Sequence, residues 1–372
     1  MTNKLKFTIN KTKWLARTGT INLNGIVMQT PVFMPVGTKW TVKWIPLTML
    51  NDPLYIWNDI QTNIILGNTF HLYLKPGDQL VKKAGGLHKF INRDKLILTD
   101  SGGFQIFSLW LWNKNWSKLV KIYDDHVDFR SPYDGSKHVF TPTGTVDIQN
   151  NLGSDIMMML DVCAPTHDTT KETTAKYMNL THKRAKIQSE YHHNIYNQTK
   201  WVLFPIVQWG IYDDLREESA RYISQFAVDG IAIWWLSVGE SKADMNRTLA
   251  FLSDKLPIDK PRYLMWVGTP EDLEFGILHG VDMFDCVLPT RLGRHGVAMA
   301  YGGNMKLRNA QYKEDFSPLV SDCSCVACRN HTRAYIHHLI GEWEMLGGIL
   351  LSLHNISYLH QITNKMKKYI NE

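Results

Sequence analysis

Short apolar, β-branched segments ending in Gly, Asn, Asp or Pro recur along this chain between amphipathic stretches, and this recurrence restricts the fold more than any other feature. Eight such segments can be read: residues 31–37, 64–71, 96–107, 155–161, 202–208, 230–238, 262–268 and 283–290. The stretches between them read as helices. Residues 175–194 are long and polar-faced, 213–226 set charges among Leu, Ala and Ile, and 269–278 open on Thr-Pro-Glu-Asp, a helix-start signal. Eight parallel strands with crossover helices close into a barrel, so the expected fold class is α/β, a (β/α)8 TIM barrel. Residues 110–142 have a strand- and loop-rich composition and read as an insertion after the third strand. From about residue 309 the repeat stops, and a helix-like run follows over 332–353.

A chain of 372 residues that is 44% hydrophobic and 20% charged can bury a full core, which excludes a disordered or fibrous protein. It has no run of about 18 apolar residues and no secretory-type start, so a soluble, cytoplasmic protein is expected, with no membrane partner. The net charge of +6 is compatible with a polyanionic partner without requiring one. Of five cysteines, three crowd into Cys323-Ser-Cys325-Val-Ala-Cys328, a spacing unlike a disulfide framework and suited to a tetrahedral soft-ligand metal site. A fourth ligand is needed, and spacing leaves His331, His337, His338 and His354 open.

In a barrel the site lies at the carboxyl ends of the strands, which directs attention to Asn68, Asp100, Asp161, Gln208 and Asp285, with Met265 and Gly268 as apolar and backbone wall. A lone Asp in such a place ordinarily caps the following helix. Three of them, each after a hydrophobic run, point instead to a pocket. Gly102-Gly103 would permit close backbone approach to a ligand, and Arg291 and Arg294, just past the last strand, suit phosphate contacts.

Several motifs resemble the queuine and archaeosine tRNA-ribosyltransferase family, specifically its bacterial tRNA-guanine transglycosylases. They are Ala-Arg-Thr-Gly-Thr-Ile from Ala16, Thr-Pro-Val-Phe-Met-Pro-Val-Gly-Thr from Thr30, Ile-Leu-Gly-Asn-Thr-Phe-His-Leu from Ile65 and Leu-Thr-Asp-Ser-Gly-Gly-Phe-Gln from Leu98. Gly-Ser-Asp-Ile from Gly153, Met-Phe-Asp-Cys-Val-Leu-Pro-Thr-Arg from Met283 and Ala-Tyr-Ile-His-His-Leu from Ala334 complete the set, which spans nearly the whole chain. The resemblance implies one domain over residues 1–372: a barrel at about 25–305, a zinc subdomain at about 306–356 and a C-terminal helix to 372. It selects His354 as the fourth ligand of one structural Zn2+ with Cys323, Cys325 and Cys328.

It further implies Asp285 as nucleophile and Asp100 as general acid/base. Asp161, Gln208 and the backbone of Trp235 and Leu236 would recognise the base, Phe104 and Met265 would sandwich it, and Ser101 and Asn68 would belong to the same pocket. Arg291 and Arg294 would face RNA. The implied partners are a tRNA with a wobble guanine, a 7-deazaguanine base and a second copy of the chain in a homodimer. Val238 and Cys163 resemble the bacterial type, which favours 7-aminomethyl-7-deazaguanine, whereas Val162 stands where a Glu is usual.

Tryptophan departs from the pattern. Trp14, Trp40, Trp44, Trp110, Trp209, Trp234, Trp235 and Trp266 fall where the family generally has glycine, and Trp57, Trp112, Trp116, Trp201 and Trp343 lie in less constrained stretches. An indole at 209 or 234–235 would fill the base pocket. The expectation is that UGA codons, read as glycine in the source's own code, stand here as tryptophan. The competing reading is an inactive, tRNA-binding relative.

Overall fold

The structure is a computed structural model that describes residues 4–56, 62–112, 119–163, 170–195, 200–208, 210–226, 228–234 and 241–372, with the backbone alone for 109–112. The chain opens with β1 (Leu5–Lys13), β2 (Ala16–Leu23) and β3 (Ile26–Thr30), joined by two-residue loops. The repeating part follows as β4 (Val32–Pro35), β5 (Ile64–Gly67), α1 (Thr69–Leu74), α2 (Asp78–Lys83), α3 (Leu87–Phe90), β6 (Leu96–Thr99) and α4 (Gly103–Trp112). After β7 (Val120–Ile122), β8 (Val127–Arg130) and β9 (Lys137–Phe140) come α5 (Pro142–Leu152), β10 (Ile156–Met158) and α6 (Lys171–Ile195). Next are β11 (Val202–Phe204), β12 (Ile206–Val207), α7 (Asp213–Ile223), β13 (Ile231–Ile233), α8 (Lys242–Leu252), β14 (Arg262–Leu264), α9 (Pro270–Leu278), β15 (Met283–Cys286) and α10 (Leu288–Arg294). The chain ends with two short strands, β16 (Val297–Ala298) and β17 (Met305–Lys306), then α11 (Val326–Asn330), α12 (Arg333–Gly341) and α13 (Met345–Asn371).

Each of the eight apolar segments contains a strand, so the fold class is the expected α/β one, with the parallel strands and intervening helices of the (β/α)8 succession. The strands are buried along their whole length apart from Cys286, as strands covered on both faces must be. The predicted helix at 269–278 starts where its sequence says: Thr269 caps α9 by accepting the Asp272 N–H, with Pro270 in the first turn. The insertion is a three-stranded antiparallel sheet, β7-β8-β9. The run over 332–353 is not one helix. It breaks into α12 and α13 at residues 342–344, where Trp343 takes a left-handed φ of +60°.

By internal contacts the chain divides into two compact units. The first holds residues 1–10, 19–28 and 66–265. In it β10 pairs in parallel with β6 and β11, and β13 with β12 and β14. The second unit holds residues 11–18, 29–65 and 266–372. Here β15 pairs in parallel with β4, setting Asp285 opposite Met34. Asp282, at the start of β15, is fully buried and holds the Arg17 guanidinium through Nε at 3.1 Å and Nη2 at 2.5 Å. Helix α13 packs on α10, α12 and β4. Among the described residues no helix is long and apolar enough to cross a membrane.

Candidate active site

In the first unit, the ends of β5 and β6 bring Asn68 and Asp100 together. Asn68 caps α1 by accepting the His71 N–H at 3.0 Å, and its Nδ2 donates to Asp100 Oδ2 at 2.5 Å. The other Asp100 oxygen accepts the Thr69 N–H at 2.9 Å, and the Asp100 carbonyl accepts the Thr69 hydroxyl. Asp100 therefore sits at the head of α1, the helix that follows the neighbouring strand β5, with its carboxylate half-buried. Thr69 escaped attention in the sequence because its contribution is largely an amide, which any residue has.

Asp161 lies 5% exposed and is no helix cap. Gln208 Nε2 donates to its Oδ2 at 3.1 Å, Ser101 Oγ to its Oδ1 at 3.2 Å, and the Cys163 thiol to Oδ2 at 3.5 Å. Burial pushes the Asp161 carboxyl above the ordinary range, and these donors pull the other way. Glycine at 103 leaves room for this arrangement. A Cβ on Gly103 would stand 2.7 Å from Asp161 Oδ1, and Gly102, with φ +80°, lies against Phe70 and Phe140. Phe104 carries the Trp234 indole edge-on, with centroids 5.6 Å apart. Met265 is 7% exposed and donates its N–H to Ile233 O. Trp235 and Leu236 lie outside the described residues.

In the second unit, Asp285 is 1% exposed near the end of β15, and its Oδ1 accepts the Trp266 N–H at 2.9 Å. It does not cap α10, whose N-cap, Val287, makes no side-chain bond. Beside it, Cys286 is no rival nucleophile: burial first, and then the Asp285 charge, push its thiol up to about 12. Cys163 is likewise held well above its usual value by burial. Gly268 lies so close to Cys286 that an added Cβ would come 2.3 Å from the Cys286 Cβ, a true close approach of backbone. Arg291 and Arg294 fall in the last turn of α10. Arg291 is exposed, and the Arg294 guanidinium lies over the Trp44 ring at 5.8 Å.

The same unit buries Cys323, Cys325, Cys328 and His354, whose ligand atoms all lie within 4.8 Å of one another. His354 Nδ1 is 3.7, 3.5 and 3.3 Å from the three sulfurs, while its Nε2 lies 2.9 Å from the Met299 carbonyl. An Nε2–H donated to that carbonyl leaves the Nδ1 lone pair facing the thiols, the tautomer a metal ligand requires. Hydrogen bonds from Cys325 and Cys328 hold the Cys323 thiol far below its ordinary value. The edges of a tetrahedron with bonds of about 2.0–2.3 Å are about 3.3–3.8 Å, so this cluster can hold a metal ion.

The queuine tRNA-ribosyltransferase family matches this chain over residues 12–372. The queuine tRNA-ribosyltransferase of Caldanaerobacter subterraneus subsp. tengcongensis is 49% identical over 357 residues, covering 96% of this chain and 90% of that protein. Those of Chromobacterium violaceum and Dechloromonas aromatica are each 46% identical, over 368 and 366 residues, covering 99% and 98% of this chain and 95% of each relative.

Proposed function

Since this chain belongs to the queuine tRNA-ribosyltransferase family, we propose that it exchanges the wobble guanine of queuosine-type tRNAs for 7-aminomethyl-7-deazaguanine by two displacements at one sugar carbon. It is a transferase, a tRNA-guanine transglycosylase, acting on tRNA and a base. In the first displacement Asp285 Oδ attacks C1′ of the nucleotide, the bond from C1′ to the guanine nitrogen breaks, and Asp100 gives the departing base a proton. In the second, the incoming base loses a proton to Asp100, its nitrogen attacks C1′, and the Asp285 carboxylate is released. Two inversions retain configuration.

The observation that carries this reading is the buried Asp161–Gln208 pair, with Ser101 on the second carboxylate oxygen. It offers acceptors and an amide to a purine edge. Phe104 and Met265 supply the flat apolar faces on which a flipped base stacks. Arg291 and Arg294 are read as RNA phosphate contacts, and Asn68 as the residue that orients Asp100. The Cys323, Cys325, Cys328 and His354 cluster holds one Zn2+ in this reading. Four protein ligands leave no open position for water, so the ion supports the fold and takes no part in exchange. The family resemblance supports a single functional domain, a homodimer and a cytoplasmic setting.

The test is exchange of labelled guanine into tRNA, with the chain as given and with glycine at all 13 tryptophan positions. Asp285→Ala in either background abolishes exchange and removes the covalent RNA adduct trapped on denaturing gels. Exchange that survives Asp285→Ala would sink the assignment, and a gel shift without exchange in both backgrounds would favour the inactive relative.

A further inference from the structure

Seven non-glycine residues among those described have positive φ, and five of them are tryptophan: Trp14 at +56°, Trp40 at +62°, Trp44 at +66°, Trp266 at +62° and Trp343 at +60°. The other two, Asn24 and Asn92, are of the type that tolerates this region. Tryptophan has no such excuse, because its Cβ meets the neighbouring carbonyl there.

Four of these five tryptophans stand where a recurring backbone motif takes glycine. Trp14 is the first residue of the two-residue loop between β1 and β2, where such a loop takes glycine or asparagine. The next hairpin, between β2 and β3, uses Asn24-Gly25 in the same place. Trp40 closes the turn 37–40 by donating its N–H to Gly37 O at 2.9 Å. Trp44 is the third residue of the turn 42–45, closed by Ile45 N–H to Val42 O at 2.9 Å, and a positive φ there defines the turn that takes glycine. Trp343 follows the C-cap of α12, and the next amide, Glu344 N–H, reaches back to Leu339 O at 2.9 Å. That is the Schellman closure, whose left-handed residue is ordinarily glycine.

Two of the indoles gain an arginine laid over the ring, Arg294 on Trp44 at 5.8 Å and Arg308 on Trp343 at 4.3 Å. Trp14 and Trp343 are each 81% exposed. Trp40 is 6% exposed, and its indole N–H is buried with no hydrogen-bond partner, an uncompensated loss. Trp266 is the position that touches chemistry, since its left-handed backbone presents the N–H that Asp285 accepts.

We propose that 14, 40, 44, 266 and 343 are glycine positions of this fold, and that the working form of the enzyme carries glycine at them. The consequence for the reaction rests on the transglycosylase reading; the consequence for stability does not. At position 266 the backbone acts through Asp285 as a positioning element.

The experiment compares glycine with alanine at the two exposed sites, where folding is not at risk. Trp14→Gly against Trp14→Ala, and Trp343→Gly against Trp343→Ala, all lack the indole, so the order within each pair reads the backbone alone. Glycine is expected to be the more stable by about three- to tenfold in the unfolding equilibrium, the left-handed penalty on a Cβ less glycine's extra entropy loss. Alanine equal to or above glycine, its usual rank on an exposed surface, overturns the proposal. Unfolding is read without RNA or base, so failure of the exchange assay leaves this result untouched. The codons and the intact mass of the protein from its own cells give a second readout: UGA and a mass with glycine at the five positions support it, UGG and tryptophan overturn it.

Discussion

At the scale of single residues, a rule about where barrels place their chemistry directed attention to the strand-end side chains. Asp161 and Asp285 escape the ordinary fate of helix caps, whereas Asp100 accepts an amide at the head of α1. What holds them was not legible. The Trp266 and Thr69 amides that Asp285 and Asp100 accept carry no sequence signature, nor does the room that Gly103 leaves for Asp161. The buried Asp161 leads to a pH prediction. Burial raises its carboxyl in the free protein, and the N–H groups of a guanine-type edge favour the ionised form. The base-bound value therefore lies below the free one, and binding releases a proton in the window between them. Affinity should fall as pH drops below the free value and level off above it. Calorimetry in buffers of different ionisation heat reads this directly, and Asp161→Asn should abolish the proton release. Proton uptake on binding would contradict the assignment.

At the scale of elements, alternating apolar runs located all eight strands, since a strand buried on both faces must be apolar throughout. The break between α12 and α13 was missed for a physical reason: its left-handed residue is Trp343, and the nearby Gly341 lies inside the last turn and not at the left-handed position where glycine signals a stop. Helix α13 also anchors itself through a residue that no motif singled out. Asn355 accepts the Met299 N–H at 2.7 Å and donates to Pro289 O and Val297 O, so it fixes the carbonyl that orients His354. Strand β15 depends on the buried Arg17–Asp282 pair at its start. Removing one partner strands the other charge in the interior, so Arg17→Ala should cost about 3–5 kcal/mol in urea unfolding. A well-packed apolar replacement of both partners, Arg17→Met with Asp282→Leu, should recover most of that loss. A cost under about 1 kcal/mol for the single variant would show that the pair contributes little to holding the strand.

At the scale of the whole molecule, fold class and the order of elements were readable, and so, from its three cysteines, was a cluster able to hold a metal ion. The fourth ligand, His354, came only from the family pattern, because it lies on a helix that begins 17 residues after Cys328 (345 less 328). Chelation should therefore act on the fold first. The thermal midpoint should fall, by roughly 2–4 °C per kcal/mol of metal binding lost, while exchange per folded molecule at low temperature holds steady. Loss of exchange ahead of any change in the midpoint would assign the ion a part in the reaction. The pairing of β15 with β4 has a consequence in time. Met283 sits opposite Val32, 251 residues earlier in the chain (283 less 32), so β4 cannot make this pairing until β15 has been synthesised. During synthesis β4 must wait, unpaired on that edge, until three quarters of the chain has left the ribosome. A ribosome that stalls in the interval leaves a sticky apolar edge of Val32, Phe33 and Met34, which makes the nascent chain a client for chaperones before it can be an enzyme.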